Sequence, residues 1–270
     1  MVIKELSAPY TGAESSFSFC EAYGGATMLG YIEYAQSSTK AYLERQLRCG
    51  APFLVMDMGS GARGALAAHR AARMAKKMRA LGVRRAVFAV DFPHTAVFLR
   101  GGIMPLDPLP LRRALGARFV KHQFENLGIS NTRSVVAVSA DAVSGEVART
   151  VQELAASQRY VLLSVRSGGE EFAARMRRQY GVSLVLAPSI DQLERADALV
   201  LFSPRDDLSL ENRVLCTLYP GGAERGRVPV ALDSALAGAV ADNCALDQLA
   251  AALYEMGVMP PERFLGEFTC

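Results

Sequence analysis

The hydrophobic residues of this chain form short apolar runs that alternate with longer amphipathic segments. The first clear run, Phe53–Met58, is continuous rather than alternating, which is typical of a strand buried on both faces of a parallel sheet. A helical pattern over 65–81 and a second strand, Arg85–Asp91, follow and complete a β-α-β unit. Upstream, apolar residues at helical spacing predict a helix over 31–48, which Gly50 would terminate.

The second half alternates strands and helices more regularly. Predicted strands lie at 134–138, 160–165, 183–187, 198–202 and 228–232, and predicted helices at 111–127, 144–157, 170–180, 190–195 and 246–256. A loop rich in glycine and proline, 92–110, separates the halves. The expected fold class is α/β, with an N-terminal α/β domain over 1–110 and a Rossmann-like, doubly wound parallel sheet over 111–270 that includes a linking helix and a C-terminal helix.

Composition narrows the class of protein. Half of the residues are hydrophobic, and the net charge is +3, which is too balanced to favour a nucleic-acid or membrane partner. The five cysteines contain no C-x-x-C pair and the three histidines no metal-binding pair, so we expect neither disulfides nor a metal site. No apolar run is long enough for a signal peptide or a membrane span, so a cytoplasmic protein is expected.

The strongest literal motif is a glycine-rich turn between the strand at 53–58 and the helix at 65–81. It reads G-x-G-x-x-G from Gly59 through Gly61 to Gly64, and such a turn lets a phosphate approach the backbone at a helix N-terminus. Asp91, at the end of the next strand, could accept a ribose hydroxyl, although it lies further along than the usual distance of about 20 residues. Three interpretations stay open: a dinucleotide site, a turn that binds no ligand, and a site resembling the first motif of class I methyltransferases, which bind S-adenosylmethionine.

The first strand-to-helix turn of the second half lies where a dinucleotide would bind, but its glycine motif is degenerate. A dinucleotide fingerprint would place glycines near Ser139 and Asp141, and here small residues and Gly145 remain. The carboxylate of Asp141 would repel a pyrophosphate, and the alternative is that it caps the next helix. Ser144 belongs to the same candidate turn.

The ends of two later strands supply further candidates. Arg166 follows the strand at 160–165, where an acidic residue would favour NAD and an arginine suits the 2′-phosphate of NADP. The alternative is an exposed arginine without a ligand. Ser203 follows the strand at 198–202, where the loop on the nicotinamide side of such a site begins.

The order of these segments resembles a known family pattern. A helix over 111–127 leads into 131–138, and the segments 159–167, 172–184 and 197–204 follow. Residues 111–235 therefore resemble the NAD(P)-binding domain of two-domain dehydrogenases such as shikimate dehydrogenase and its relatives. The resemblance implies a substrate between the two domains and a catalytic lysine–aspartate pair in the N-terminal domain, but no motif places that pair on this chain.

Three functional hypotheses result. The first is an oxidoreductase that uses NADP or NAD and acts on a small molecule. The second is a methyltransferase that uses the turn at Gly59–Gly64. The third is a non-catalytic Rossmann-like protein that binds a small-molecule ligand. The apolar tail at 246–268 raises the further possibility of a homodimer. The alternative is that the tail packs onto the sheet of its own chain.

Overall fold

The fold is given by a computed structural model of the chain. It describes residues 28–33, 41–59, 64–232, 234–238, 240 and 243–264. The strands are β1 (Leu29–Glu33), β2 (Tyr42–Arg48), β3 (Ala51–Asp57), β4 (Arg85–Phe88), β5 (Met104–Pro105), β6 (Val135–Ala142), β7 (Tyr160–Ser167), β8 (Val185–Leu186), β9 (Ala198–Leu201) and β10 (Val214–Thr217). The helices are α1 (Gly64–Ala80), α2 (Thr95–Arg100), α3 (Leu109–Asn126), α4 (Gly145–Ala155), α5 (Gly169–Tyr180), α6 (Ile190–Glu194), α7 (Ser234–Ala237) and α8 (Leu246–Glu255).

The first sheet has the strand order β2-β3-β1-β4-β5, and all its neighbouring strands are parallel except β2 and β3. The predicted helix over 31–48 is therefore wrong, because this stretch contains β1 and β2. Every residue of β2 pairs with β3, and this ladder overrides the helical spacing of the apolar residues. Gly50 belongs to the two-residue turn between these strands, where Cys49 and Gly50 both have positive φ, at 51° and 79°.

The second sheet is parallel throughout, with the order β10-β9-β6-β7-β8. Its first strand in the chain, β6, lies in the centre; β7 and β8 extend one side, and β9 and β10 extend the other. This is the order of the first five strands of a Rossmann fold, and the expected α/β class is confirmed. Because the winding direction reverses between β6 and β9, a crevice opens at the carboxyl ends of these two strands.

Two details of the predicted pattern are corrected. The last parallel strand is β10, at 214–217, whereas 228–232 forms no strand. Residues 228–232 are apolar and contain a proline, so their pattern resembles a strand although they have no ladder. The loop over 92–110 contains α2 and the short strand β5, which pairs with β4.

One hydrophobic cluster joins the two sheets through α3. It contains Phe53 of β3, Phe124 of α3 and Val136 of β6, all buried. The boundary between two domains at residue 110 stays a prediction. Cys216 of β10 lies in the same cluster with no exposed surface, and its burial raises the pKa of its thiol.

The C-terminal helix packs inside the chain. Leu249 and Leu253 of α8 are buried, as are Met259 and Phe264 after it. These contacts account for much of the apolar tail without a partner, and the homodimer stays a prediction. In the part of the chain that the structure covers, no helix combines the length and apolar character needed to cross a bilayer.

Candidate functional site

A crevice of about 500 Å³ opens where β6, β7 and β9 end, at the reversal of winding. It is lined by Ser139, Ala140, Asp141, Ser164, Val165, Arg166, Ser203, Pro204, Arg205, Asp206 and Asp207. We refer to it as the switch-point crevice. Four residues predicted from the sequence, at positions 139, 141, 166 and 203, therefore lie around one cavity.

These four residues differ in their exposure. The side chains of Ser139 and Ser203 are buried at the floor. Asp141 and Arg166 stand at the rim with exposed side chains, and Arg166 Nε lies 3.7 Å from Asp141 Oδ1. At that distance and exposure the ion pair is weak, so the guanidinium remains available to another anion.

The alternative that Asp141 caps the next helix is wrong, because β6 continues through this residue. Ala142 still pairs with Ser167 of β7, and α4 begins three residues further on. Ser144 caps α4 instead, with its Oγ accepting a hydrogen bond from the backbone N–H of Val147 at 3.2 Å.

Ser144 and Gly145 do not line the switch-point crevice. A Cβ built on Gly145 would meet no atom within 4 Å, so packing does not require a glycine there. Because β6 extends to Ala142, α4 begins later in the chain than it would after a short glycine turn.

Sequence reasoning missed Arg205, which crosses the floor of the crevice. Its Nη1 donates to Ser139 Oγ at 3.0 Å and to Ser164 Oγ at 3.2 Å. Its Nε and Nη2 donate to the two carboxylate oxygens of Asp207, each at 2.7 Å. These bonds to Asp207 raise the pKa of the Arg205 guanidinium and lower the pKa of the Asp207 carboxyl. The signal in the sequence was a charged Arg-Asp-Asp run close after a buried strand, at the edge where such sheets bind ligands.

A second crevice of about 490 Å³ adjoins the first at the ends of β7 and β8. We call it the outer crevice. Gly168 and Gly169, at the start of α5, line it together with Leu186 of β8. Val165 and Arg166 line both crevices, so the side chain of Arg166 stands where they meet.

The glycine turn after β3 lies only partly within the described residues. Gly59 has a φ of 62°, and its N–H donates to Oδ1 of the buried Asp57 at 2.8 Å, a local turn that needs no ligand. Gly61 lies outside the described residues. Asp91 follows β4, and β1 lies between β3 and β4, so the two strand ends are separated by about 10 Å. This topology gives the S-adenosylmethionine alternative no support, because Asp91 follows β4, which is not adjacent to the strand that carries the glycine turn, β3.

No protein-family model matches the sequence, and a search of curated protein sequences finds no match. Among solved structures, L-tryptophan dehydrogenase from Nostoc punctiforme matches with a TM-score of 0.34 and 12% identity over 66% of this chain, which spans about half, 52%, of that dehydrogenase. Shikimate 5-dehydrogenase from Listeria monocytogenes, solved with shikimate and NAD, matches with a TM-score of 0.32 and 10% identity over 77% of this chain and 84% of its own.

A different class of enzyme is similar to the same degree. Ornithine carbamoyltransferase from Pyrococcus furiosus matches with a TM-score of 0.32 and 11% identity, over 94% of this chain and 91% of its own. Likeness this low, shared by enzymes of unrelated chemistry, assigns neither a reaction nor a ligand to this chain.

Proposed function

We propose that this chain binds NADP or NAD along the carboxyl edge of its second sheet and serves as an oxidoreductase for a small molecule. The observation that carries the proposal is the meeting of two crevices at Arg166 on a sheet with the Rossmann strand order. A dinucleotide lies across the ends of such strands, with its pyrophosphate at the reversal of winding and its adenosine towards the second strand. The switch-point crevice corresponds to the first position and the outer crevice to the second.

Arg166 supplies a cation for the 2′-phosphate of NADP, whereas Glu170 and Glu171 line the same outer crevice with carboxylates that would repel it. In this arrangement the adenosine ribose lies near the end of β7, where Arg166 stands with a side chain that is 85% exposed. A guanidinium can bind a phosphate through two parallel hydrogen bonds, whereas the ribose hydroxyls of NAD offer it no charge. Asp141, 3.7 Å from Arg166 Nε, forms only a weak ion pair with the guanidinium and leaves it able to bind a phosphate.

Arg205 limits how closely a pyrophosphate can approach. Four of the five N–H groups of its guanidinium donate within the chain, to Asp207, Ser139 and Ser164. One N–H has no acceptor among the described residues and is open to a ligand phosphate, unless the ligand displaces the hydroxyls. The side chain adds one positive charge at the floor of the crevice, and Asp207 offsets it.

A second candidate function is a non-catalytic protein that binds a small ligand in the same place. Among the described residues that line the switch-point crevice there is no lysine, histidine, tyrosine or cysteine. A hydride transfer to a carbonyl needs a proton donor, and such a group would have to come from elsewhere in the chain or from water. Together with the engagement of Arg205, this composition supports binding without turnover.

The first prediction concerns Arg166. We expect NADPH to raise the melting temperature of the full chain more than NADH does, because only NADPH carries the 2′-phosphate. In Arg166→Gln the Kd for NADPH should rise by about 10-fold or more, whereas the Kd for NADH should change little. Fluorescence titration of NADPH measures both constants.

Arg159→Gln is the matched control. Arg159 is exposed and immediately precedes β7, so this variant loses the same charge at the opposite end of the strand. Equal weakening in both variants, or a chain that responds to neither nucleotide, contradicts the nucleotide site. If NADPH binds but is oxidised by none of a panel of small carbonyl compounds, the second candidate is favoured.

A further inference from the structure

We propose a second ligand site, specific for a small carboxylate or phosphate anion, at the carboxyl end of β10. A cavity of about 200 Å³ lies between the first turn of α3 and the segment that follows β10. Arg112 of α3 and Arg227 line it, together with Thr217 and the turn at Tyr219–Gly222. The switch-point crevice has none of these residues in its lining.

Arg112 carries hydrogen-bonding capacity that the chain does not use. Its side chain is 15% exposed, and its Nε is buried with no hydrogen-bond partner among the described residues. Its closest carboxylate, Asp247, is 3.4 Å from Nη2, which is long for a bond between charged groups. Because Nε has no accessible surface, a ligand in the cavity would meet the Nη groups of Arg112, whose long contact with Asp247 leaves capacity for a shorter charge-assisted hydrogen bond.

Arg227 brings a second guanidinium to the same cavity. Burial and the positive charge of Arg227 together lower the pKa of Arg112, so the two cations are close enough to repel each other. Arg227 Nη1 bonds Glu224 at 3.1 Å, and its side chain is half exposed. An oxyanion between the two arginines would relieve the repulsion and give the Nη groups of Arg112 a closer acceptor than Asp247.

One carboxylate lines the cavity, and two others lie against its arginines. Asp107 is the one acidic residue in the described lining, and its Oδ1 accepts the N–H of Leu109 at 2.9 Å. The described lining carries two positive charges and one negative charge. Glu224 and Asp247 lie outside the lining and pair with Arg227 and Arg112, so an anionic ligand competes with these two carboxylates for the guanidinium groups.

The turn after β10 gives the cavity a fixed wall. A Cβ on Gly222 would lie 2.7 Å from the Cβ of Thr217, so a larger residue would not fit here unless its neighbours moved. The adjacent Gly221 has a φ of 74°. Thr217 Oγ1 also bonds the backbone oxygen of Ala223 at 3.2 Å, which closes the segment onto β10. A cavity of this size is smaller than a typical drug-sized pocket, of about 300 Å³ or more, and suits an anion of a few heavy atoms.

The test uses the full chain without any nucleotide, so that its outcome does not depend on the dinucleotide site. Calorimetric titrations with inorganic phosphate and with malonate, at constant ionic strength, provide the two probes. We expect at least one probe to bind, with a Kd that rises about 10-fold or more in Arg112→Gln and in Arg227→Gln. The tighter probe shows whether the natural ligand offers a phosphate or a carboxylate.

Arg118→Gln is the matched control, because Arg118 also lies on α3 and pairs with Glu262 away from the cavity. Its affinity for the probe should equal that of the parent chain. The proposal fails if neither probe binds at about 10 mM, or if Arg118→Gln weakens binding as much as the two cavity variants. If Arg112→Gln does not fold by circular dichroism, Arg227→Gln decides, because that side chain is half exposed.

Discussion

Replacing Phe124 by alanine is expected to lower the free energy of unfolding by about 3–5 kcal/mol. Phe124 has no exposed surface and lies in the hydrophobic cluster that contains residues of both sheets. Removing the ring loses its transfer free energy and leaves a cavity that packed neighbours fill incompletely. Because the cluster is shared, we expect one cooperative transition that moves as a whole.

Urea denaturation followed by both circular dichroism and intrinsic fluorescence measures this effect. Leu127→Ala is the control, because Leu127 directly follows α3 and is 46% exposed; its cost should stay within about 0.5 kcal/mol. Two separate transitions, of which Phe124→Ala shifts one, would contradict the shared core and favour two independent domains.

Replacing Asn212 by aspartate is expected to cost more than about 3 kcal/mol at neutral pH. Asn212 is 3% exposed, and its Nδ2 donates to the backbone oxygens of Leu193, Glu194 and Ala196 at 2.8, 3.1 and 2.9 Å. A carboxylate in this place would be buried against three oxygens that carry partial negative charge, with no donor for them.

This variant should also acquire a pH dependence. Burial and the three backbone oxygens would raise the pKa of the new carboxyl in the folded state above its unfolded value of about 3.9. The destabilisation is then smallest below pH 4, where the protonated acid donates one hydrogen bond, and grows as the pH rises through the folded pKa. Urea titrations at several pH values measure it. Asn126→Asp, an exposed residue at the end of α3, should change stability by about 1 kcal/mol or less at every pH.

The second sheet could be predicted because its local signals agree with its final structure. Apolar runs such as 136–138 and 161–163 are the buried parts of parallel strands, and Ser144 and Gly181 mark helix ends by chemistry that acts within a few residues. The misassigned strand at 228–232 shows the limit. Its apolar pattern is local, whereas a place in the sheet depends on a partner that β10 already supplies to β9.

The first sheet was harder to predict because its pairing is not local. The helical spacing in 31–48 gave no indication that β2 would pair along its whole length with β3. The glycine turn after β3 matched a nucleotide motif in letters, yet the strand that follows α1 lies on the far side of β1. Strand order within a sheet depends on long-range contacts, which a local motif does not encode.

In the candidate site, too, local signals predicted some residues, whereas long-range contacts determined others. Residues 139, 141, 166 and 203 were found because each follows or ends a strand of a parallel sheet, where the carboxyl ends converge. The bonds of Arg205 to Ser139 and Ser164 join residues 66 and 41 positions apart, and no spacing rule predicts them. Ser144 and Gly145 were expected in the crevice because β6 was predicted to end earlier than it does.

Because Cys216 is fully buried, its reaction with a thiol reagent reports rare local unfolding of the second sheet. Thiol alkylation proceeds through the thiolate, and the raised pKa and the absence of solvent contact suppress that species at β10. Iodoacetamide should therefore label this position only in molecules whose second sheet has come apart. Mass spectrometry of the peptide that carries Cys216 would then count those molecules under native conditions.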